Sequence, residues 1–231
     1  MEDAKLKYLS RINIFLDLDK DTLQKLDEIT PMVTVPRGAV ITGPGDADSV
    51  LYLLKRGRVR LYKTTPDGSE ITLAMLGDGN VFGATGSLGL GNPDMYAEAV
   101  QNALVCAMRE EDVANLIQRN PAVGMRLISL LSQRVRELEE QVEGLSHQDV
   151  EGRVLRLLLH LAEDFGEADR GFTRLDVPLT HAEIATMVGS TRETVTTTLS
   201  HLGRLGLVRT GRREIAISRD RVAEWLKAKN N

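Results

Sequence analysis

Residues 179–203 read LTHAEIATMVGSTRETVTTTLSHLG, and they contain two helix starts separated by a glycine. The first start is a T-x-x-E capping pattern at Thr180, and the second is an S-x-x-E pattern at Ser190 that includes Glu193. Gly189 lies between them and is predicted to end the first helix. Two short helices joined by a glycine turn are typical of a helix-turn-helix, whose second helix enters the major groove of DNA.

The second predicted helix carries polar residues at the end where such a helix meets base edges. Five residues are the predicted base readers: Thr191, Arg192, Glu193, Thr196 and Thr197. An arginine can bond guanine in a bidentate way, and a glutamate can accept a hydrogen bond from N4 of cytosine. Two alternatives stay open, namely that Glu193 only caps the helix and that the threonines are ordinary surface residues. Because three consecutive threonines are unfavourable in an exposed helix, a functional reason for keeping them is favoured.

Residues 207–217, LVRTGRREIAI, follow this helix and predict a two-stranded wing that turns at Thr210–Arg213. Because Lys and Arg side chains neutralise DNA phosphates, the arginines of the wing are candidate phosphate contacts. The full predicted phosphate-binding set is Thr180, Ser190, His201, Arg212 and Arg213.

The charge distribution agrees with a DNA-binding C-terminal end. Residues 191–231 hold nine Lys/Arg and four Asp/Glu, a net charge of +5 in a chain whose formal net charge is −4. This local excess indicates an anionic partner such as double-stranded DNA. A solvated face of mixed charge is the alternative.

The composition excludes several other classes of protein. The 231 residues are 42% hydrophobic and 27% charged, which is ordinary for a globular protein of two domains. No apolar run of 18 residues is present, and no signal peptide is visible, so we expect no membrane association. The single cysteine, Cys106, cannot form an intrachain disulfide, a four-cysteine zinc site or a protein-held iron–sulfur cluster. We therefore expect a reduced, cytoplasmic protein without a metal or cofactor.

The N-terminal half has a β-strand rhythm after a helical segment that ends near Thr30. Eleven of the 20 glycines fall between Gly38 and Gly91, and short β-rich runs lie between them. These runs are Val40–Thr42, Val50–Leu54, Val59–Lys63, Ile71–Met75 and Val100–Met108. Pro66-Asp67-Gly68 is a hairpin turn signal. Many short strands joined by such turns predict a sandwich or barrel.

A heptad pattern separates the two halves. Apolar residues recur at spacings of 3, 4, 3, 4 and 3 in the series Ile128, Leu131, Val135, Leu138, Val142 and Leu145. One position of the repeat is β-branched and the other is leucine, a combination that favours a parallel two-stranded coiled coil. We therefore predict a homodimer through this helix. The alternative is a single amphipathic helix that packs on its own domain.

Taken together, these motifs resemble the Crp–Fnr family of bacterial transcription regulators, typified by the catabolite activator. The resemblance covers nearly the whole chain, including Gly57-Arg58-Val59-Arg60, Leu76-Gly77-Asp78-Gly79, Phe82-Gly83, Asp149-Val150-Glu151-Gly152-Arg153 and Thr191-Arg192-Glu193-Thr194-Val195. It implies an α+β chain with an N-terminal antiparallel, jelly-roll-like β-roll sensor at 1–109 and a dimerisation helix at 110–146. A C-terminal winged helix-turn-helix would follow at 147–231. The implied partners are DNA, a second copy of the chain and RNA polymerase.

The sensor differs from that of the cyclic-nucleotide-binding members. The matching effector-pocket positions are Gly83, Ala84, Thr85, Tyr96 and Leu138. Ala84 follows Phe-Gly where those members carry a ribose-binding glutamate, and Tyr96 stands at their hydroxyl position. The sequence holds no Lys or Arg from residue 64 to residue 108. A buried cyclic phosphate needs a counter-charge or a dense set of N–H donors. The absence of Lys and Arg from this stretch therefore argues against cyclic AMP as the effector.

Several readings of the sensor remain open. The effector is a neutral or apolar molecule, or none at all, and we assign no catalytic residue. The first alternative is a cyclic-nucleotide-responsive regulator with an altered pocket. A more remote one is a cupin-like enzyme on a similar roll, which would need clustered metal ligands. None of the four histidines lies in the sensor.

Overall fold

The computed structural model describes residues 12–16, 18–46, 50–84, 94–147, 149–211 and 214–229, with the backbone alone for residues 84 and 140–147. The chain forms two compact units. One comprises Met1–Gly68 and Leu73–Val135, and the other comprises Ser69–Thr72 and Arg136–Asn231. The division at Val135 falls inside a helix, whereas the domain ends predicted at residues 109 and 146 lie on either side of it.

The first unit is built from strands flanked by helices. A 3₁₀ helix, Asn13–Phe15, precedes α1, Lys20–Ile29. The strands described after α1 are β1 Met32–Val35, β2 Val40–Thr42, β3 Val50–Arg56, β4 Val59–Thr64, β5 Glu70–Leu76, β6 Val81–Ala84, β7 Tyr96–Ala99 and β8 Ala103–Arg109. They form two four-stranded sheets with the orders β1-β8-β3-β6 and β2-β7-β4-β5, and the pairs of known register are antiparallel. The predicted antiparallel β-roll is therefore confirmed.

The sheet that contains β3 is covered on both faces. Leu54 faces the interior of the roll, where it packs with Val59 and Leu61 of the other sheet. Leu53 faces the opposite way, into a second core that includes Leu23 of α1. Consecutive residues of β3 are therefore both buried, which a strict two-residue alternation would not predict. Cys106 is fully buried in the second core, as a small apolar residue would be.

The sequence located five of the eight strands described in the roll. Each of the five predicted β-rich runs overlaps an observed strand, but the four-residue strands β1, β6 and β7 were not predicted. The predicted turn at Pro66-Asp67-Gly68 is confirmed, because Gly68 has φ +83° and its N–H donates to the carbonyl oxygen of Thr65 at 2.9 Å. A strict two-residue alternation along β4 would place Tyr62 on the face opposite Val59 and Leu61, where a half-buried strand is exposed. It is buried instead, with its ring stacked on Tyr96 at a centroid distance of 5.0 Å.

The region predicted as one dimerisation helix contains a break. Helix α2, Glu110–Arg119, ends at Asn120, and α3, Pro121–His147, begins at the next residue. Proline suits the first position of a helix because its missing N–H would have no intrahelical partner there. The same ring disfavours helical dihedrals at the preceding residue, so the two helices are separated at Asn120.

The second unit combines helices with one small sheet. Helix α4, Val150–Phe165, begins at the cap residue Asp149. It is followed by β9 Gly166–Asp169, β10 Phe172–Leu175, α5 His181–Met187, α6 Arg192–Arg204, β11 Val208–Gly211, β12 Glu214–Ile217 and α7 Arg219–Lys229. The sheet order is β11-β12-β10-β9. Strands β9 and β10 form a hairpin, in which Arg170 and Gly171 both have positive φ. Among the described residues, no helix has both the length and the apolar content that a membrane span needs.

Candidate nucleic-acid interface

Helix α5 begins with the predicted capping box. The backbone N–H of Glu183 donates to the Thr180 hydroxyl at 3.2 Å, and the Glu183 carboxylate accepts from the backbone N–H and the hydroxyl of Thr180 at 2.6 and 2.7 Å. The cap at Thr180 is therefore confirmed. Because the hydroxyl proton is used inside the cap, it is not free to be donated to the DNA phosphate that was also predicted for this residue.

The turn after α5 is held by an arginine from another helix. Gly189 has φ +60°, and the backbone N–H of Ser190 donates to the carbonyl oxygen of Ala185 at 2.9 Å. Arg153 of α4 donates through Nε to the carbonyl oxygen of Val188 at 2.8 Å, and through Nη2 to that of Gly189 at 3.4 Å. Sequence reasoning gave Arg153 no role of its own, because 35 residues separate it from the turn and no local pattern joins them.

The start of α6 lies one residue later than predicted. Thr191, rather than Ser190, is the cap residue, and its hydroxyl accepts from the backbone N–H of Thr194 at 3.2 Å. The S-x-x-E capping box is therefore not formed, since Glu193 is the second residue of the helix and not the third. No hydrogen bond or ion pair of the Glu193 side chain is found within the described part of the chain. The geometry of the helix start therefore does not support the alternative that Glu193 serves only as part of a capping box.

Helix α6 has one buried face and one exposed face. Its buried residues are Val195, Thr198, Leu199 and Leu202. The last of the three consecutive threonines is therefore buried, whereas Thr196 and Thr197 are exposed. At 3.6 residues per turn, Glu193 and Thr197 lie on the side opposite Val195, and the same row continues with Ser200 and Arg204. Ser200 and Arg204 were not predicted as site residues. They could have been found from the sequence, because residues seven and eleven positions after Glu193 lie on the same helix face.

The hydroxyls of the exposed threonines are engaged within the unit. Thr196 donates to the carbonyl oxygen of Arg192 at 2.8 Å, and Thr197 donates to that of Glu193 at 3.1 Å. Nδ1 of His181, at the start of α5, lies 2.9 Å from the Thr196 oxygen. Arg192, Thr196 and Thr197 are all exposed, so these predicted base readers lie at the solvent-facing N-terminal half of α6.

The two strands of the predicted wing are present. Strands β11 and β12 stay paired as far as Gly211 and Glu214, and the connection between them is Arg212 and Arg213, which lie outside the described residues. Arg209, the other arginine of the wing, is held by the β9–β10 hairpin. Its Nη2 donates to the Asp169 carboxylate at 2.7 Å, and its guanidinium carbon lies 4.1 Å from the centroid of the Phe172 ring.

A charged cluster joins the C-terminal part of α6 to helices α4 and α7. His201 Nε2 lies 3.6 Å from a carboxylate oxygen of Glu151, so a DNA phosphate at His201 would have to compete with this carboxylate. Lys229 Nζ donates to Glu151 at 3.3 Å and also to Asp149. Burial would raise the pKa of Asp149, but hydrogen bonds from Lys229 and from the Gly152 N–H hold that pKa below its usual value. Burial likewise would lower the pKa of Lys229, but its bonds to both carboxylates hold it above the usual value.

The structure describes only part of the predicted effector pocket. Thr85 lies outside the described residues, and the side chain of Ala84 is not described. Gly83 has φ +110°, and a Cβ there would collide with the carbonyl oxygen of Val50. Tyr96 lies on the face of β7 opposite Ala97, which packs in the roll interior, so its side chain does not line that interior. Leu138 belongs to the second unit.

The predicted dimer seam is an exposed apolar row. Its described side chains, Ile128, Leu131, Val135 and Leu138, are 57%, 43%, 53% and 49% exposed in the single chain. The side chains of Val142 and Leu145 lie outside the described residues. Exposed apolar rows of this kind are typical of surfaces that another helix covers.

Two parts of the chain match known protein families. Residues 152–226 match the Crp-like helix-turn-helix domain, and residues 32–120 match the cyclic nucleotide-binding domain. These two ranges contain the winged unit and most of the β-roll.

Whole regulators are also similar to the chain. It is 37% identical over 176 residues to the cyclic AMP receptor protein of Thermus thermophilus, which covers 76% of this chain and 78% of that protein. It is 32% identical over 186 residues to the global nitrogen regulator of a Nostoc species, with 80% and 83% covered. A crystal structure of a CRP/FNR-family transcriptional regulator from T. thermophilus has a TM-score of 0.69 at 29% identity, with 85% of this chain and 98% of that chain covered.

The position of the α6 cap can be tested by two single substitutions. Thr191→Ala should reduce the free energy of unfolding by about 1 kcal/mol, because the N–H of Thr194 loses its acceptor. Ser190→Ala should change it by less than about half that value, because only its backbone takes part in the turn. Urea titrations of both variants measure the difference. If Ser190→Ala lowered the free energy of unfolding more than Thr191→Ala, Ser190 would be the cap residue.

The Asp149–Lys229 pair should make stability depend on pH. Since the pKa of Asp149 is lowered on folding, its contribution is complete above the unfolded value of about 3.9 and is lost as the pH falls through the folded value. Since the pKa of Lys229 is raised, its contribution is complete below about 10.4 and is lost as the pH rises through the folded value.

Lys229→Met removes the contribution of Lys229 and the part of the Asp149 contribution that the ammonium group supplies. Because the pair is partly exposed, the loss at pH 7 should be about 0.2–1 kcal/mol. Urea unfolding of the wild type and the variant should give converging free energies toward pH 2, with Lys227→Met as the matched control. A gap that stays constant from pH 7 to pH 2 would contradict the pairing.

Proposed function

Because the chain belongs to the Crp–Fnr family and is a DNA-binding transcription regulator, we propose that it binds a palindromic site as a homodimer and reads each half-site with α6. The observation that carries this proposal is the N-terminal end of α6, where Arg192 and Glu193 are exposed and Glu193 takes no part in the cap. The α+β fold with its winged helix-turn-helix agrees with the family.

The base-reading part of the proposal assigns a role to each residue of that end. Arg192 donates to guanine, and Glu193 accepts from cytosine on the opposite strand, which fits a TGTGA-like half-site. Thr191 and Thr194 position both of them through the helix cap. Arg212 and Arg213 contact phosphates, because they are basic and follow directly on Gly211, in the last pair of the β11–β12 ladder.

The homodimer forms along the seam of α3. Two such rows would cover the exposed apolar side chains of Ile128, Leu131, Val135 and Leu138. A two-fold axis along the seam requires a palindrome with half-sites about one helical turn apart. A regulator of this kind works beside RNA polymerase in the bacterial cytoplasm, and it does so without catalysis.

The names of the relatives and the sensor residues of this chain point to different effectors. The T. thermophilus relative is named a cyclic AMP receptor protein, which favours a cyclic nucleotide. The roll interior here is lined by apolar side chains such as Leu61, Ala74 and Met95. With no Lys or Arg from residue 64 to residue 108, we propose a neutral or apolar effector, or none.

Glu193→Ala tests the base-reading assignment. The variant should relax the preference at one position of the half-site and weaken binding to the best site by about 1–3 kcal/mol. A binding-selection logo for wild type and variant measures this. Arg212→Ala is the matched contrast, because loss of a phosphate contact should weaken all sequences alike and reduce the salt slope by about 1. An unchanged logo for Glu193→Ala would refute base reading by this residue.

Leu131→Asp tests the dimer. Two carboxylates facing each other across the seam would be buried without partners, which costs several kcal/mol. Sedimentation should therefore give a monomer for Leu131→Asp and a dimer for Ser132→Asp, a neighbouring exposed position off the seam. A full dimer for Leu131→Asp would exclude this seam as the interface.

Calorimetry with cyclic AMP separates the two effector readings. We expect no site of micromolar or tighter affinity, because the sequence supplies no cation for the phosphate in residues 64–108. Heat that fits one tight site per chain would instead establish the cyclic-nucleotide-responsive alternative.

A further inference from the structure

We propose that Thr197 recognises the C5-methyl group of thymine, so that this chain selects an A·T pair at the half-site position facing that residue. The inference rests on the proposed DNA-binding role of α6. It specifies which base the side chain in the middle of the exposed face of α6 contacts. It follows from the hydrogen bonds that the threonines already make.

Thr197 occupies the outward side of α6. It lies one helical turn after Glu193 and on the side opposite the fully buried Val195. A recognition helix that presents Glu193 to the major groove therefore presents Thr197 to the same groove, about one turn further along. Thr197 is exposed in the structure, so nothing in the described part of the unit covers this position.

The hydroxyl of Thr197 has no proton left for a base. A threonine hydroxyl has one donor, and this one is donated to the carbonyl oxygen of Glu193 at 3.1 Å. In the major groove guanine presents only acceptors, N7 and O6, which require a donor. Thr197 therefore cannot read guanine while this bond is kept.

The hydroxyl of Thr196 is engaged in two contacts, so Thr196 cannot bond guanine in place of Thr197. Its hydroxyl donates to the carbonyl oxygen of Arg192 at 2.8 Å, and Nδ1 of His181 lies 2.9 Å from the same oxygen. Because the proton of Thr196 is already used, the His181 nitrogen is the donor in that contact. One acceptor lone pair and a methyl group remain on Thr196, which again excludes a hydrogen bond to guanine.

The methyl group is what Thr197 has available for the groove. Its oxygen is turned back toward the backbone of its own helix, and the methyl is the other substituent on the same Cβ. Thymine is the base that presents an apolar group, the C5-methyl, on its major-groove edge, and threonine methyls pair with it. Adenine and cytosine amino groups could reach only the inward-turned oxygen, so thymine is the better match.

The experiment removes the methyl group from each partner in turn. Selection logos of the wild type and Thr197→Arg first identify the facing position, which should change from an A·T to a G·C preference. Fluorescence anisotropy at fixed salt then compares a site carrying thymine at that position with one carrying deoxyuridine, which lacks the C5-methyl. Wild-type binding should weaken about fourfold on deoxyuridine, the effect of one buried methyl group.

Two variants that each remove one substituent of the Thr197 Cβ serve as controls on the protein side. Thr197→Ser keeps the hydroxyl but loses the methyl, and it should bind the thymine and deoxyuridine sites equally. Thr197→Val keeps a methyl at the same place, and it should still prefer thymine. Deoxyuridine at a thymine in the flanking DNA should change none of these affinities.

Three outcomes would overturn the inference. A guanine selected at the facing position, or equal wild-type affinity for thymine and deoxyuridine, would refute methyl recognition while leaving palindromic DNA binding intact. Loss of thymine preference in Thr197→Val with retention in Thr197→Ser would assign the reading to the hydroxyl. Absence of any sequence-selective binding by the wild type would instead refute the proposed function on which the inference depends.

Discussion

The guanidinium of Arg153 satisfies backbone carbonyls that would otherwise have no partner at the end of α5. The last carbonyls of a helix have no intrahelical donor, and the turn at Gly189 would leave those of Val188 and Gly189 open to water. Bonds of 2.8 and 3.4 Å from Arg153 tie both to α4. Hydrogen bonds from a charged group contribute about 1.5–3 kcal/mol, which is enough to favour one conformation of a short turn. The direction in which α6 leaves that turn depends on this contact.

The geometry of α6 follows from that anchor and from its own cap. With Thr191 as the cap residue, the helix begins at Arg192, and the side chains of Arg192 and Glu193 fall in its first turn. Negative charge is favourable near a helix N-terminus and positive charge is not, so Glu193 is stabilised there while Arg192 is not. A residue kept at an unfavourable electrostatic position is consistent with selection for an anionic ligand outside the protein, such as DNA.

Polar contacts fix the geometry of α6, whereas apolar packing shapes the interior of the β-roll. The sheet β1-β8-β3-β6 is buried on both faces, and its residues alternate between the roll interior and the helical core. In the other sheet, polar and aromatic pairs take the outer face. Arg60 donates to Glu98 at 2.7 Å and lies over the Tyr62 ring, which stacks on Tyr96. The charges of Arg60 and Glu98 thus lie on the outer face of this sheet, away from the roll interior.

What the sequence determined by itself is a set of features that short-range chemistry carries. The capping box at Thr180, the turn at Gly68 and the apolar heptad each depend on residues within a few positions of one another, so their pattern can be read directly. The position of the α6 cap was missed by one residue, because serine and threonine are nearly equal as caps and packing of Val195 and Leu199 selected between them. Only the tertiary structure placed Arg153 at the turn and Tyr96 outside the roll interior, since both depend on which strands and helices meet. Local propensity sets where an element begins, but the partner of a side chain is decided by contacts between residues far apart in the chain.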